Sequence, residues 1–432
     1  MNLHELKNKK VAIWGYGIEG NATAQYLTQR CPSLQFTVLC KAHEVDDQPF
    51  DFYTEEVDSG TLNQFDVVIK SPGISPYTEP AKSAQCQIIS STSLWFSNEK
   101  NGTVIAITGT KGKSTSCAML TAVLQDMGFA TVLAGNFGRP LISCTDQYDY
   151  VVLETSSYQA QDHSIQADVA VVLNLYTEHL DWHLNEQQYH QDKLSLLNNA
   201  KFKVLNAKDD RLNQYVNDHQ VSLPINWFND QHGFYELNQV LMYQDKALIS
   251  TYGWQLKGRH NLINAAAVCT VVLLLKLDIK VAINSLKAFK PLPHRLQPIG
   301  EYHGIHYIND SIASTPHATL AALNTLDASK TIVLVGGFDR GVDWNWWADA
   351  IKTAPPKLIV CSGQNGEKIH QVILKHKIKT QSIWHENLKD AVKSAIKSAA
   401  IGDVVLLSPG APSFDAFKDY QHRGQQFEQW IK

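Results

Sequence analysis

The stretch AITGTKGKST, residues 106–115, spaces glycines and lysines in a way that suits phosphate chemistry. Gly109, Thr110, Lys111, Gly112, Lys113, Ser114 and Thr115 follow the apolar run 104–107 and precede SCAMLTAVLQDMG, which reads as a helix. A glycine turn between strand and helix aims backbone N–H groups at phosphates. It places Lys113 for the β and γ oxygens, and Ser114 or Thr115 for Mg2+. The strict motif wants a glycine at position 107; Ile107 stands there, so the turn is a variant.

A second glycine turn, Gly15-Tyr16-Gly17-Ile18-Glu19-Gly20, follows the strand-like VAIW. Such a turn lets backbone approach a pyrophosphate at a helix N-terminus, or is a tight strand-to-helix turn with no ligand. The acid that would hold a dinucleotide ribose is missing: Cys40 and Lys41 stand there, and Lys41 suits a phosphate or uridine-nucleotide anion better than NAD.

A third cluster spans LETSSYQ, NLYTEHLDWH and YHQDK. Glu154 ends a strand, where a carboxylate holds Mg2+ as a Walker-B acid does. His179 follows another strand end. His179 and His183 have zinc-like spacing without the HExxH pattern, and His183 reads as a histidine with no metal. Lys193, taken bare, reads as a solvated charge on a helix. Further on, Arg295 in PLPHR and Asp310 in INDS sit where a nucleotide or a salt bridge is equally expected. Arg340 and Ser413 lie in glycine- or serine-rich turns, and an arginine there suits a carboxylate.

These residues need elements to carry them. Short runs rich in Val, Ile and Leu alternate with helical stretches throughout, which predicts α/β architecture with parallel sheets covered on both faces. Residues 220–256 break the rhythm and read as a small antiparallel patch. Boundaries fall at the polar SNEKNG and the proline-flanked PLPHR, giving domains 1–98, 99–293 and 294–432. With 44% hydrophobic and 19% charged residues in 432, the chain can bury sizeable cores. A net charge of -4 without a basic block implies neither nucleic acid nor a membrane surface as partner. Seven cysteines without a CxxC pair fit a reducing compartment, and no signal-peptide pattern precedes VAIW, so a cytoplasmic setting is expected.

Taken together, the segments resemble the Mur ligases of peptidoglycan synthesis. The resemblance runs in family order through GYGIEG, SPGISP, AITGTKGKST, GNFGRPL, LETSSYQ, TEHLDWH, YHQDKL, GRHNLINAAA, LPHR, INDSIAST, GGFDRG and LSPGAPSFDAFKDYQHRG. It implies three domains: a Rossmann-like N-terminal domain for the UDP part of the substrate, a central P-loop ATPase-type sheet, and a Rossmann-like C-terminal domain. It implies an ATP- and Mg2+-dependent ligase joining glutamate to UDP-N-acetylmuramoyl-L-alanine through an acyl phosphate. Lys113, His179 and Lys193 are then catalytic. Ser114, Glu154, His179 and Lys193 serve the metal, with Lys193 carbamylated by CO2. ATP meets residues 109–115, Asn264, Arg295 and Asp310. The other substrates meet Gly15, Gly17, Ile18, Glu19, Ser71, Asn136, Ser156, Ser157, Arg340, Ser413 and Tyr420. A monomer is expected.

Two departures touch the amino-acid pocket: Ile312 where the family has lysine after N-D-S, and Arg340 for a lysine in the later glycine loop. D-glutamate is the family default, and the departures leave a branch adding L-glutamate open. A folylpolyglutamate-type ligase and a non-catalytic nucleotide sensor are more distant alternatives.

Overall fold

The computed structural model describes every residue except Thr177, His179, Gln220, Ser222, Leu223 and Lys257, and the side chains of Leu180 and Asp181. The chain divides into two compact units, Met1–Phe289 and Lys290–Lys432.

The first unit opens with five short strands: β1 (Val11–Trp14), β2 (Phe36–Leu39), β3 (Asp51–Tyr53), β4 (Val67–Lys70) and β5 (Gln87–Ser90). They form one parallel sheet in the order β3-β2-β1-β4-β5. The chain leaves β1 toward one edge and returns to the other side through β4. The β1/β4 crevice is therefore the switch point at which open α/β sheets take ligands. Gly15 follows β1 and Ser71 follows β4, and the Ser71 hydroxyl donates to the Gly15 carbonyl at 3.0 Å.

Six strands follow: β6 (Thr103–Thr108), β7 (Thr131–Gly135), β8 (Tyr150–Glu154), β9 (Val169–Val172), β10 (Phe202–Asn206) and β11 (Ile225–Phe228). Their order is β11-β10-β9-β6-β8-β7, all parallel. The central strands are buried along nearly their whole length, which explains their unbroken Val/Ile/Leu character. Each large aliphatic side chain so buried contributes about 1.5–3 kcal/mol. β12 (Phe234–Leu237), β13 (Val240–Tyr243) and β14 (Lys246–Ser250) form the antiparallel patch expected between 220 and 256. Phe234, Leu241 and Ile249 carry it into the core shared with the helix Arg259–Leu274.

The second unit is a six-stranded sheet of β15 (Gln297–Tyr302), β16 (Ile305–Asn309), β17 (Thr331–Val335), β18 (Leu358–Cys361), β19 (Gln381–Trp384) and β20 (Val404–Leu407). Its order is β15-β16-β20-β17-β18-β19, with only β15 antiparallel to its neighbour. Two apolar clusters cover its two faces. No helix among the described residues is long and apolar enough to cross a membrane.

Candidate active site

The glycine turn after β6 leads into the helix Lys113–Asp126, whose N-cap is Gly112 at φ +86°. A Cβ at Gly112 would lie 2.5 Å from the Asn264 amide oxygen, so glycine is needed for both the dihedral and the close approach. Ile107 lies within β6, and the cradle proper begins at Gly109. The loop after β9 clamps the turn. Asn174 accepts from the Lys111 N–H at 2.8 Å and donates to its carbonyl at 2.9 Å. The Thr110 hydroxyl donates to the Tyr176 carbonyl, accepts from the Tyr176 N–H and meets the Tyr189 hydroxyl at 3.0 Å. Lys111 pairs with Glu178 at 2.5 Å.

Lys113 folds back so that its ammonium donates to the carbonyls of Gly109 and Thr110, at 2.9 and 3.1 Å. Lys193, on the helix Glu186–Leu194, donates to the same Gly109 carbonyl at 3.2 Å. Contrary to the reading of Lys193 as a solvated charge, it is 2% exposed. Burial holds its pKa well below the usual lysine value, and the Lys113 charge adds to this against the opposing pull of Glu178 and Glu154.

Glu154 is 1% exposed at the end of β8. One carboxylate oxygen accepts from the Asn136 side chain at 2.7 Å, whereas Oε2 is buried without a hydrogen-bond partner among the described residues. An orphaned buried carboxylate oxygen beside a phosphate cradle is the donor a hard divalent cation takes, so Glu154 fits Mg2+. His179 lies outside the described residues. Among the described residues no cluster of three or more His, Cys, Asp or Glu side chains forms a metal cage.

The expected substrate residues fall into two groups. Gly15 and Gly20 shape the first turn: a Cβ at Gly20 would lie 1.9 Å from the Gly15 carbonyl oxygen. Gly17 caps the helix Ile18–Arg30, and the Ile18 side chain is exposed. Glu19 is engaged internally, accepting from Ser91 at 3.0 Å and from Gln159 at 2.7 Å, and burial raises its pKa. Ser156 and Gln159 form a capping box on the four-residue helix Ser157–Ala160, so the Gln159–Glu19 bond ties the two large sheets together. Lys70, which sequence reasoning passed over, ends β4 at 6% exposure. It donates to the Ile74 carbonyl, and burial brings its pKa down to about 8.

In the second unit, Asp310 is buried at the end of β16. It accepts from the Leu296 N–H at 3.1 Å and the Ser408 hydroxyl at 2.7 Å, and burial raises its pKa to about 6 despite the nearby Arg295. Arg340 is exposed, Ser413 is buried, and Tyr420 opens the helix Tyr420–Trp430. Arg423 on that helix was missed. It donates to the carbonyls of Ser311, Ala411 and Pro412 and to the Ser311 hydroxyl, joining the loops after β16 and β20. Beside it a cavity of 440 Å³, lined by Gly337, Ser362, Glu386, Asp415 and Phe417 among others, opens where the strands β17–β19 end.

Residues 107–272 match the Mur ligase middle domain, and residues 294–410 match the Mur ligase glutamate ligase domain. The chain is 39% identical to the UDP-N-acetylmuramoyl-L-alanine–L-glutamate ligase of Xanthomonas axonopodis pv. citri, over 99% of this chain and 96% of that protein. The chain belongs to the Mur ligase family. The UDP-N-acetylmuramoylalanine–D-glutamate ligase of Buchnera aphidicola is 30% identical over 98% of each chain. Among solved Mur ligases, the UDP-N-acetylmuramate-alanine ligase of Thermotoga maritima shares the fold at 18% identity and a TM-score of 0.65, covering 98% of this chain and 99% of that one. The MurF ligase of the same organism, solved with ADP, shares it at 16% identity and a TM-score of 0.61, covering 100% of this chain and 96% of that one.

Proposed function

We infer that this Mur ligase joins L-glutamate to UDP-N-acetylmuramoyl-L-alanine in the cytoplasm, as a monomer. The chain is an ATP-dependent amide ligase that adds glutamate to this acceptor. The choice of L-glutamate is supported by the relatives. Those at 37–40% identity carry the L-glutamate name, whereas the D-glutamate relative stands at 30%. The changes at Ile312 and Arg340 point the same way. The observation that carries the mechanism is the convergence of Lys113 and Lys193 on one carbonyl, in a sheet whose neighbouring strand ends in Glu154.

A carboxylate resists attack by an amine because an oxide would have to leave. Transfer of the γ-phosphoryl group of ATP to the alanine carboxylate forms a C–O–P bridge and releases ADP. The glutamate amine then adds to the acyl carbon and loses a proton. The C–O bond breaks, phosphate departs with the bonding pair, and an amide remains. The turn 109–112 and the helix N-terminus offer N–H groups to the phosphates, and Lys113 neutralises charge on the oxygens in transfer. The residues that would hold Mg2+ are Glu154 through Oε2, Ser114, His179 and carbamylated Lys193. When bound, the ion supplies Lewis-acid neutralisation of phosphoryl charge.

Burial favours the neutral Lys193 amine, the form that attacks CO2 and loses a proton to give a carbamate. The modification replaces a repulsive Lys113–Lys193 pair with an attractive one. Arg295, Asp310 and Asn264 are read as contacts of ATP, and Ser413, Tyr420 and Arg340 as contacts of the glutamate carboxylates. Gly15, Gly17, Ile18 and Ser71 are read as contacts of the UDP part, with Asn136, Ser156 and Ser157 facing the muramoyl-alanine end. The test offers D- and L-glutamate separately to the purified protein with acceptor, ATP and Mg2+. Product and phosphate are expected with L-glutamate alone. Product from D-glutamate, or ADP release that ignores the acceptor, would overturn the reading.

A further inference from the structure

Ser157 is the end of a buried relay whose other members, His183, Asp192 and Tyr77, the ligase mechanism above does not use. His183 is fully buried, with Nδ1 2.6 Å from Asp192 Oδ2 and Nε2 2.9 Å from Ser157 Oγ. Asp192 is 1% and Ser157 3% exposed. The other Asp192 oxygen receives the Tyr77 hydroxyl at 2.6 Å and the Gln188 amide at 2.8 Å. Gln188 also donates to the Tyr77 oxygen at 3.0 Å, so the Tyr77 proton must point at Asp192. A carboxylate only accepts, so Nδ1 carries a proton. In the neutral Nδ1–H tautomer Nε2 accepts, the Ser157 hydroxyl donates to it, and only the oxygen lone pairs of Ser157 are left for another partner.

We propose that His183, held by Asp192, is a positioning residue that fixes the Ser157 hydroxyl as an acceptor for an amide N–H of the muramoyl-alanine substrate. The inference rests on the reading that places this substrate at Ser156 and Ser157. A serine free to rotate could serve a carboxylate or phosphate oxygen as donor; this one is committed to accepting, and the substrate's amide N–H is the donor the proposal assigns to it. The relay also begins on the loop after β4, through Tyr77, and ends at Ser157, three residues past the end of β8, so it aligns residues from both large sheets of the first unit.

Asp192→Asn tests the polarity. Tyr77 and Gln188 both donate to one oxygen position, which holds the asparagine carbonyl there and turns its amide toward Nδ1. The imidazole proton must then move to Nε2, and the Ser157 hydrogen is forced outward against the substrate N–H. The expected result is a KM for the acceptor raised about tenfold or more, with the KM for ATP near wild type. Ser157→Ala is expected to raise the acceptor KM similarly, and adding Asp192→Asn to Ser157→Ala is expected to change it little further. Full additivity of the two substitutions would overturn the relay while leaving the substrate placement intact. An unchanged acceptor KM in Ser157→Ala would overturn the placement and the relay together. Should Asp192→Asn fold poorly, nitrogen NMR of histidine-labelled wild-type protein decides. A ring protonated on Nδ1 alone supports the proposal, and a proton on Nε2, with or without one on Nδ1, refutes it.

Discussion

Gly20→Ala tests whether the first glycine turn holds the UDP part of the acceptor. By helix propensity alone alanine would be favoured there by about 1 kcal/mol. The structure reverses that sign, because the new Cβ would stand 1.9 Å from the Gly15 carbonyl oxygen. Carbon and oxygen in contact need more than about 3 Å, so turn and helix must part by roughly 1 Å. Overpacking of this kind costs about 1–3 kcal/mol. The Gly15 carbonyl also receives the Ser71 hydroxyl, so the shift carries both sides of the β1/β4 crevice with it. A misplacement of about 1 Å is worth up to roughly a hundredfold in a positioned complex. The expected outcome is a folded protein of lowered Tm whose affinity for UDP and for the acceptor falls about 10- to 100-fold. ATP affinity is expected to stay near wild type, since the 109–112 turn belongs to the other sheet. Titration calorimetry with UDP, ATP and acceptor reads this directly. Wild-type UDP affinity in a protein whose Tm has dropped would refute the placement of the uridine diphosphate on this turn.

Glu154→Gln keeps the Asn136 contact while removing the charge at the unpartnered oxygen; the Mg2+ concentration for half-maximal rate is expected to rise at least about tenfold, about 1.4 kcal/mol, and an unchanged Mg2+ titration would remove Glu154 from the metal site. Lys193→Ala is expected to abolish turnover and to eliminate incorporation of labelled CO2 seen in wild-type protein, and an undiminished rate with or without bicarbonate would refute the carbamate. Asp310 supplies a pH dependence. Its folded pKa, raised to about 6, exceeds the ordinary value of 3.8. Its contribution therefore favours folding below the ordinary value and is lost as pH rises through about 6. Relative to Asp310→Asn, wild type is expected to lose roughly 2–3 kcal/mol between pH 4 and 8, and parallel denaturation curves for the two proteins would contradict this.

The strands were legible where both faces are buried, because VAIW, VVIK, TIVLV and DVVLL each carry at least three consecutive apolar residues. The β15–β16 hairpin was not, since Pro298 and Gly300 interrupt it and a bulge shifts its register. The glycine turns announced themselves through composition, whereas their clamps did not: Asn174 reaches Lys111 from 63 residues away. Lys193 looked solvated because its helix carries no apolar stripe; Tyr189, Asp192 and Lys193 are buried on it by tertiary packing alone. The relay was hidden for the same reason. Ser157 and His183 are 26 residues apart, and Tyr77 joins Asp192 across 115. His183 was read as free of metal duty on spacing, whereas its partners come from packing that no local pattern encodes. The default of D-glutamate rested on family frequency, while Ile312 and Arg340 left the L-glutamate branch open.

The acyl phosphate is the central claim, and oxygen isotope transfer tests it most directly. With the alanine carboxylate of the acceptor labelled with ¹⁸O, each turnover is expected to deliver one labelled oxygen into the released inorganic phosphate, read by mass spectrometry or phosphorus NMR. Amide product accumulating alongside unlabelled phosphate would contradict the account.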